Sequence, residues 1–164
     1  MPFRMTEKCR KFFSDITAGP SKSNVENKLS MLFDGYYLCL LVGLAKVEIN
    51  NNTEFENTAF IDEYPTAYQN AGVREYIAGL LISTEASRKG ANTQNEAELE
   101  KLMSSLISAE SVTRLTLDGE DLLNQYAARG IDIMMEKMMP GTPSCLEDFF
   151  QDYFDCFESG AFLN

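Results

Sequence analysis

The stretch "MLFDGYYLCLLVGLAKVE", residues 31–48, decides the fold of this chain of 164 residues. Its most apolar part, between Tyr36 and Val47, is about twelve residues long, whereas a membrane-spanning helix needs about 20 apolar residues. A helix that is apolar on nearly every side is instead typical of the centre of a protein core. We therefore predict a buried central helix over about residues 35–48, and no segment that crosses a membrane.

Three residues of this helix suggest how it meets its neighbours. Gly43 predicts the close approach of another helix, because glycine has no side chain to hold two backbones apart. Tyr36 and Tyr37 point about 100° apart on a helix, so we expect different surroundings for their hydroxyls. Each hydroxyl either bonds nearby backbone in the core or lines a groove or an interface.

Local signals outside this stretch predict several more helices. Ser144 and Glu147 form a capping box, and "TQNE" at 93–96 forms a second one. Asp118 is a predicted N-cap, and Gly130 is a predicted stop for the helix that follows it. The predicted helices cover about residues 6–16, 25–33, 66–89, 97–108, 117–130 with a restart over 131–139, and 144–157.

Together these segments predict an all-α fold, a compact single-domain bundle of six or seven helices over residues 1–164. In the last helix the aromatic side chains recur at helical spacing and should dock it onto the body, while its acidic side chains fall largely on the other side. The only stretch with β character is "SVTRLTL", residues 111–117.

The composition excludes several classes of chemistry. The chain has no histidine, which removes Ser-His-Asp and Cys-His catalysis and makes a structural zinc site very unfavourable. It contains neither of the common glycine-rich motifs that hold phosphates. The basic start of the chain does not lead into a signal-peptide pattern. We expect a cytoplasmic protein with reduced, buried thiols at its four cysteines, Cys9, Cys39, Cys145 and Cys156.

Glu85 and Asp34 are the carboxylates best placed for chemistry. Glu85 shares a helical stripe with apolar residues, and an unpaired buried carboxylate is costly. It either pairs with Arg88 or Lys89 one turn later, or serves as a metal ligand or interface anchor. Asp34 directly precedes the central helix and is either its N-cap or a ligand. The acidic cluster "DGED", residues 118–121, is better explained by capping than by a calcium loop.

Charge is distributed unevenly along the chain. Residues 1–28 contain six basic and three acidic side chains, a net charge of +3, so the remaining 136 residues carry −14 of the total of −11. This basic N-terminal segment is the only stretch that attracts phosphates. Its candidate nucleic-acid contacts are Arg4, Lys8, Arg10 and Lys11.

Three motifs resemble small helical proteins of bacterial phage-defence operons: "FDGYYLCLLVGL" (33–44), "YIAGLLISTEASRKG" (76–90) and "LLNQYAARGIDIM" (122–134). The nearest family is the SspB-type subunit of single-strand DNA phosphorothioation systems. The resemblance covers about two thirds of the chain. It implies a DNA-nicking endonuclease that uses a divalent metal beside a cysteine desulfurase and an ATP-using sulfur-insertion protein, but it carries no metal ligands across.

Two hypotheses follow. In the first, the chain is a Mg²⁺-dependent DNA-nicking subunit of a phosphorothioation or anti-phage defence complex, with Asp34 and Glu85 as metal-binding and catalytic residues. In the second, it is a non-enzymatic acidic adaptor or DNA mimic that binds a basic partner. A ligand sensor around Tyr36 and Tyr37 is a third reading. The expected partners are other subunits of such a complex and DNA at the N-terminal segment, with a homodimer left open.

Overall fold

The computed structural model describes residues 2–19, 26–57 and 60–164, and within these ranges it contains seven α-helices and no strand beyond isolated bridges. The prediction of an all-α bundle of six or seven helices is confirmed. The helices are α1 (Glu7–Phe13), α2 (Leu32–Lys46), α3 (Thr66–Asn70), α4 (Val73–Lys89), α5 (Glu96–Leu106), α6 (Leu117–Lys137) and α7 (Leu146–Glu158).

The predicted central helix is α2. It begins three residues earlier than expected and ends before Val47, which adopts a left-handed backbone with φ of 57°. Eight of its fifteen residues are buried, among them Phe33, Cys39 and Leu40. Within the described ranges, no helix combines the length and the apolar character that crossing a bilayer requires.

Helices α2 and α6 pack together through two glycines. A Cβ added at Gly43 would lie 2.0 Å from the carbonyl oxygen of Tyr126, and one added at Gly130 would lie 1.8 Å from that of Cys39. Because the higher-numbered residue of α2 meets the lower-numbered residue of α6, the two helices run antiparallel. The prediction that Gly43 marks a close helix approach is therefore confirmed.

The first residues of the chain are part of the core. Phe3 and Met5 are buried, and Phe3 forms a bridge with Ile61. The side chain of Asn124 is buried, and its Oδ1 accepts hydrogen bonds from the backbone N–H of Arg4 at 3.0 Å and from the hydroxyl of Tyr36. Its Nδ2 donates to the backbone carbonyl of Pro2. The basic N-terminal segment is thus folded into the body over its described residues, while Lys22 lies outside them.

Three predicted helix boundaries were wrong. The predicted helix over 25–33 is absent from residues 26–31, and Val25 lies outside the described part of the chain. The helix predicted over 66–89 is two helices, α3 and α4, separated at Gly72, which has a positive φ of 70°. Gly130 does not stop a helix: α6 passes through it, because that glycine is where α2 comes close.

The capping predictions were also displaced by a few residues. Asn95, not Thr93, caps α5, and its side chain accepts from the N–H groups of Ala97 and Glu98. Thr116, not Asp118, caps α6. The N-cap position of α7 is Cys145 instead of Ser144, and no side chain caps it.

The prediction of four buried cysteines was wrong at one position. All four are free thiols, and Cys145 is exposed at the start of α7. Cys9 and Cys39 are buried, with their sulfur atoms 3.7 Å apart between α1 and α2.

Candidate functional site

Glu85 is held in an internal ion pair. Its side chain lies in α4 and is 0% exposed. Oε1 accepts from Arg88 Nε at 2.7 Å and from the hydroxyl of Tyr126 at 2.6 Å. Oε2 accepts from Arg88 Nη2 at 2.8 Å and lies 3.4 Å from Lys89 Nζ. Glu85 thus pairs with Arg88, which is the first of the two alternatives that the sequence predicted.

These contacts set the charge of Glu85. Burial alone would raise its pKa, because an apolar surrounding disfavours the carboxylate. The hydrogen bonds from Arg88 and Tyr126 and the charges of Arg88 and Lys89 outweigh burial, so the pKa lies below its usual value. Efficient general acids and bases titrate near the working pH. A carboxylate with a lowered pKa is a fixed anion at neutral pH and is not suited to that role.

Asp34 lies in the first turn of α2, not at its N-cap, which is Met31. Its Oδ2 accepts from the backbone N–H of Met31 at 3.0 Å, and its Oδ1 accepts from the hydroxyl of Tyr68 at 2.6 Å. The first of these bonds satisfies a backbone donor at the positive end of the helix. The second ties α3 to α2. Burial, together with this hydrogen bond, raises the pKa of Tyr68.

As arranged, Asp34 and Glu85 do not fit a magnesium site. Mg²⁺ needs near-octahedral oxygen ligands, but all four carboxylate oxygens of this pair already accept hydrogen bonds. At Glu85 the adjacent Arg88 and Lys89 would also repel a dication. Over residues 2–19, 26–57 and 60–164, no group of three or more Cys, Asp or Glu side chains is placed to hold a metal ion.

The four basic side chains proposed to contact DNA each have a partner within the chain. Arg10 donates to both carboxylate oxygens of Glu56, at 2.7 and 2.5 Å. The other pairs are Lys8 with Asp132, Lys11 with Glu7, and Arg4 with the ring of Phe55. Exposed ion pairs contribute only about 0–1 kcal/mol. A phosphate would therefore have to displace weak contacts, and DNA binding at this segment stays a prediction.

The two adjacent tyrosines have different surroundings, as predicted. Tyr36 is buried and donates to Asn124 Oδ1 at 2.8 Å. Tyr37 is half-buried, and its ring packs edge-on against Tyr68 at 5.4 Å. Tyr36 is therefore a core residue.

A large concave surface lies elsewhere, between the connection from α6 to α7 and α7 itself. This cavity has a volume of about 460 Å³. Its floor is apolar and is formed by Phe12, Met138 and Phe149, all of them buried. One wall is the connecting segment 139–144, and the other wall is α7. A second lobe of about 230 Å³ shares Phe12 and residues 141–142 with the first. We call the two lobes together the α6–α7 groove.

The α7 side of this groove is strongly acidic. Helix α7 carries five acidic residues and no basic one. Asp148, Asp152 and Asp155 line the groove. Asp152 also accepts from the backbone N–H of Met139 at 2.7 Å, which fixes the connecting segment against α7. The groove therefore combines an apolar floor with a negatively charged wall.

Two methionines extend the apolar surface of the groove outward. Met139 is 76% exposed and Met135 is 54% exposed, and each lines one of the two lobes. Exposed apolar side chains beside a concave surface add apolar area that a binding partner can bury. Methionine is also flexible and polarisable, so it adapts to differently shaped partners.

Sequence analysis missed this groove. The acidic side of α7 was predicted, but residues 140–143, "PGTP", fall between two predicted helices and received no prediction. The available signal was the spacing of Asp148, Asp152 and Asp155, which puts three carboxylates on one helical face beside two methionines. Comparison with known proteins found no protein-family model, curated protein or solved structure that matches the chain.

Proposed function

We propose that this chain is a non-enzymatic acidic adaptor that binds a basic partner protein. The observation that carries the proposal is a difference between the basic and the acidic side chains of the protein: many of the basic ones are paired, whereas many of the acidic ones face solvent. Seven of its 14 Lys and Arg side chains form ion pairs within the described residues, whereas the carboxylates of α5 and α7 mostly face solvent. The paired cations are Lys8, Arg10, Lys11, Arg74, Arg88, Lys89 and Arg129.

The remaining surface charge favours a basic partner over a nucleic acid. With a net charge of −11, the protein repels phosphates at long range and attracts cationic surfaces, which raises the rate of association with them. In α7 the side chains of Glu147, Asp148, Asp155 and Glu158 are exposed with no basic residue on the same helix. A DNA mimic would be a narrower form of the same function, because its carboxylates would replace phosphates on a DNA-binding protein.

The nicking activity implied by the resemblance to phosphorothioation subunits stays a prediction. Its two candidate residues, Asp34 and Glu85, are engaged by internal donors. Metal-assisted nicking by this chain would therefore need either a rearrangement of these contacts or ligands from another subunit.

Two assays on the purified protein test the proposal together. In the first, supercoiled plasmid is incubated with the protein and Mg²⁺, with and without its co-purifying subunits, and open-circular product is measured. In the second, the protein is isolated from its source cells at low and high salt, and the bound proteins are identified. An adaptor gives no nicking, and it retains one dominant partner with a basic surface that is released at high salt. Nicking that co-elutes with the protein and requires Mg²⁺ would overturn the proposal.

A further inference from the structure

The α6–α7 groove has the dimensions and lining of a peptide-binding site. Its larger lobe, at about 460 Å³, lies within the usual range of about 300–1,000 Å³ for ligand pockets. The floor is buried in the same core that holds α1, since the ring of Phe12 lies 6.2 Å from that of Phe149. A rigid apolar floor with flexible methionines at the rim is suited to accept the apolar face of a helix.

The charges around the groove give a bound helix a direction. Asp148, Asp152 and Asp155 form the wall on the α7 side. Lys8 and Lys11 line the opposite end, where they are paired with Asp132 and Glu7. A ligand with its cations toward α7 would therefore meet unbalanced carboxylates, whereas the same ligand reversed would meet lysines that are already neutralised.

From this complementarity, we propose that the α6–α7 groove binds an amphipathic helix of a partner protein. That helix places apolar anchors on Phe12, Met138 and Phe149 and directs Lys or Arg side chains at the aspartates of α7. The proposal rests on the adaptor function and specifies its binding surface and the class of segment recognised. Helix-in-groove recognition of this kind uses anchors at positions i, i+3, i+4 and i+7 of the ligand.

A second acidic and apolar surface, on α5, is the main competitor. It is lined by Leu99, Met103 and Ile107, with Glu96 and Glu100 beside them. All of these residues lie on α5 or at its C-terminal end, so no second element forms an opposite wall. A partner helix there would be covered on one side only, which favours the α6–α7 groove as the docking site.

The test uses a fluorescent peptide of about 16 residues with leucines at the anchor positions and Lys and Arg on the adjoining face. Binding is measured by anisotropy in 150 mM NaCl. The triple variant Asp148→Asn/Asp152→Asn/Asp155→Asn removes three charges from the groove, and Glu96→Gln/Glu98→Gln/Glu100→Gln removes three from α5. We expect the first to raise the Kd by about tenfold or more and the second by less than about twofold.

A further variant separates docking from general attraction. Met139→Glu adds a carboxylate at an exposed position on the rim of the groove. General attraction to an acidic surface would then increase, whereas apolar docking would be disrupted. We expect the Kd to rise by about tenfold. Thermal unfolding of each variant checks that the fold is retained.

Three other outcomes would overturn the groove proposal, the adaptor function or the proposed occupant. If the α5 triple variant weakens binding as much as the groove triple variant, or if Met139→Glu binds more tightly, the groove proposal is overturned and the acidic adaptor remains. If neither this peptide nor any basic partner binds in 150 mM NaCl, the adaptor function fails as well. If the protein dimerises with rising concentration and Met139→Glu abolishes the dimer, a second copy fills the groove and the proposed occupant is wrong.

Discussion

At the scale of single residues, the side chains that looked most reactive are held by hydrogen bonds within the chain. Glu85 is a buried carboxylate whose oxygens accept from Arg88 and Tyr126, and these contacts join α4 to α6. The sequence pattern pointed to Glu85 because a carboxylate in an apolar stripe is unusual. It could not decide between pairing and catalysis, because Tyr126 lies 41 residues away along the chain. The same holds for Asp34, whose partner Tyr68 belongs to α3.

The pairing of Glu85 predicts a loss of stability in Glu85→Gln. Neutralising a buried group that accepts charged hydrogen bonds should lower the free energy of unfolding by about 1.5–3 kcal/mol at pH 7, measured by urea denaturation. The matched control is Glu75→Gln, because Glu75 is an exposed residue of the same helix and pairs with Arg74. That control should change the stability little. Equal stability of Glu85→Gln and the natural chain would contradict the ion pair.

The same variant predicts a particular pH dependence. The folded-state pKa of Glu85 is lowered, so its stabilising contribution is fully present above its unfolded pKa of about 4.3. The contribution is lost as the pH falls through the folded-state value. The stability difference between the natural chain and Glu85→Gln should therefore be constant from pH 7 to 5 and shrink below about pH 4. A difference that grows on acidification would show that the folded-state pKa is raised instead.

At the scale of helices, the arrangement depends on the crossing of α2 and α6. The apolar run in residues 31–48 predicted α2 and its burial correctly, and Gly43 indicated that another helix approaches. The identity of that helix was not predictable, because Gly130 looked like a helix end. In an α-helix, glycine is about 1 kcal/mol less favourable than alanine, and here the close contact with Cys39 offsets that loss.

The close crossing of α2 and α6 predicts that Gly→Ala substitutions change the stability in opposite directions at the crossing and away from it. Gly43→Ala and Gly130→Ala should each reduce the free energy of unfolding by about 1–3 kcal/mol, because the added methyl group would force the helices apart. Gly79→Ala in α4 is the control, since no atom beyond the backbone of its own helix lies within 4 Å of its Cβ position. It should stabilise the protein by about 0.5–1 kcal/mol. The three midpoints of thermal unfolding, compared with the natural chain, check this order.

Helix ends were predicted less well than helix positions. Residues 92–95 read "NTQN", and three of these four side chains are good N-caps. Local preference could not choose between Thr93 and Asn95, because the choice depends on which register buries Leu102 and Leu106. The α6–α7 groove was not predictable for a related reason. It is formed by Phe12 of α1, the end of α6 and α7, which meet only in the folded chain.

At the scale of the whole molecule, the described part of the N-terminal segment contributes to the core in addition to carrying positive charge. Its residues Phe3 and Met5 are buried, and Asn124 holds its backbone. The charge count suggested that this basic segment is separate from the core and contacts DNA. Its alternating apolar residues instead pack into the core. Exposed acidic side chains instead lie on α5 and α7, in the second half of the chain.

This placement predicts that Phe3→Ala destabilises the entire protein. Removing a fully buried phenylalanine should lower the free energy of unfolding by about 3–5 kcal/mol. Arg4→Ala is the control: it removes one positive charge and the contact with Phe55 but keeps the backbone bond to Asn124. It should cost about 0.5–1 kcal/mol. A Phe3→Ala protein that unfolds in urea like the natural chain would show that this segment is independent of the core.

The central proposal is that this chain acts as an acidic adaptor through the α6–α7 groove, with metal-dependent nicking as the competing hypothesis. Its most direct test is a pair of titrations of the ¹⁵N-labelled protein, followed by ¹H–¹⁵N correlation spectra in 150 mM NaCl. One titration uses the basic amphipathic peptide, and the other uses a DNA duplex with Mg²⁺. The account predicts saturable shifts with the peptide that cluster at Phe12 and residues 135–155, and none with DNA. Saturable shifts with DNA and Mg²⁺ at Asp34, Glu85 or the N-terminal segment would contradict it.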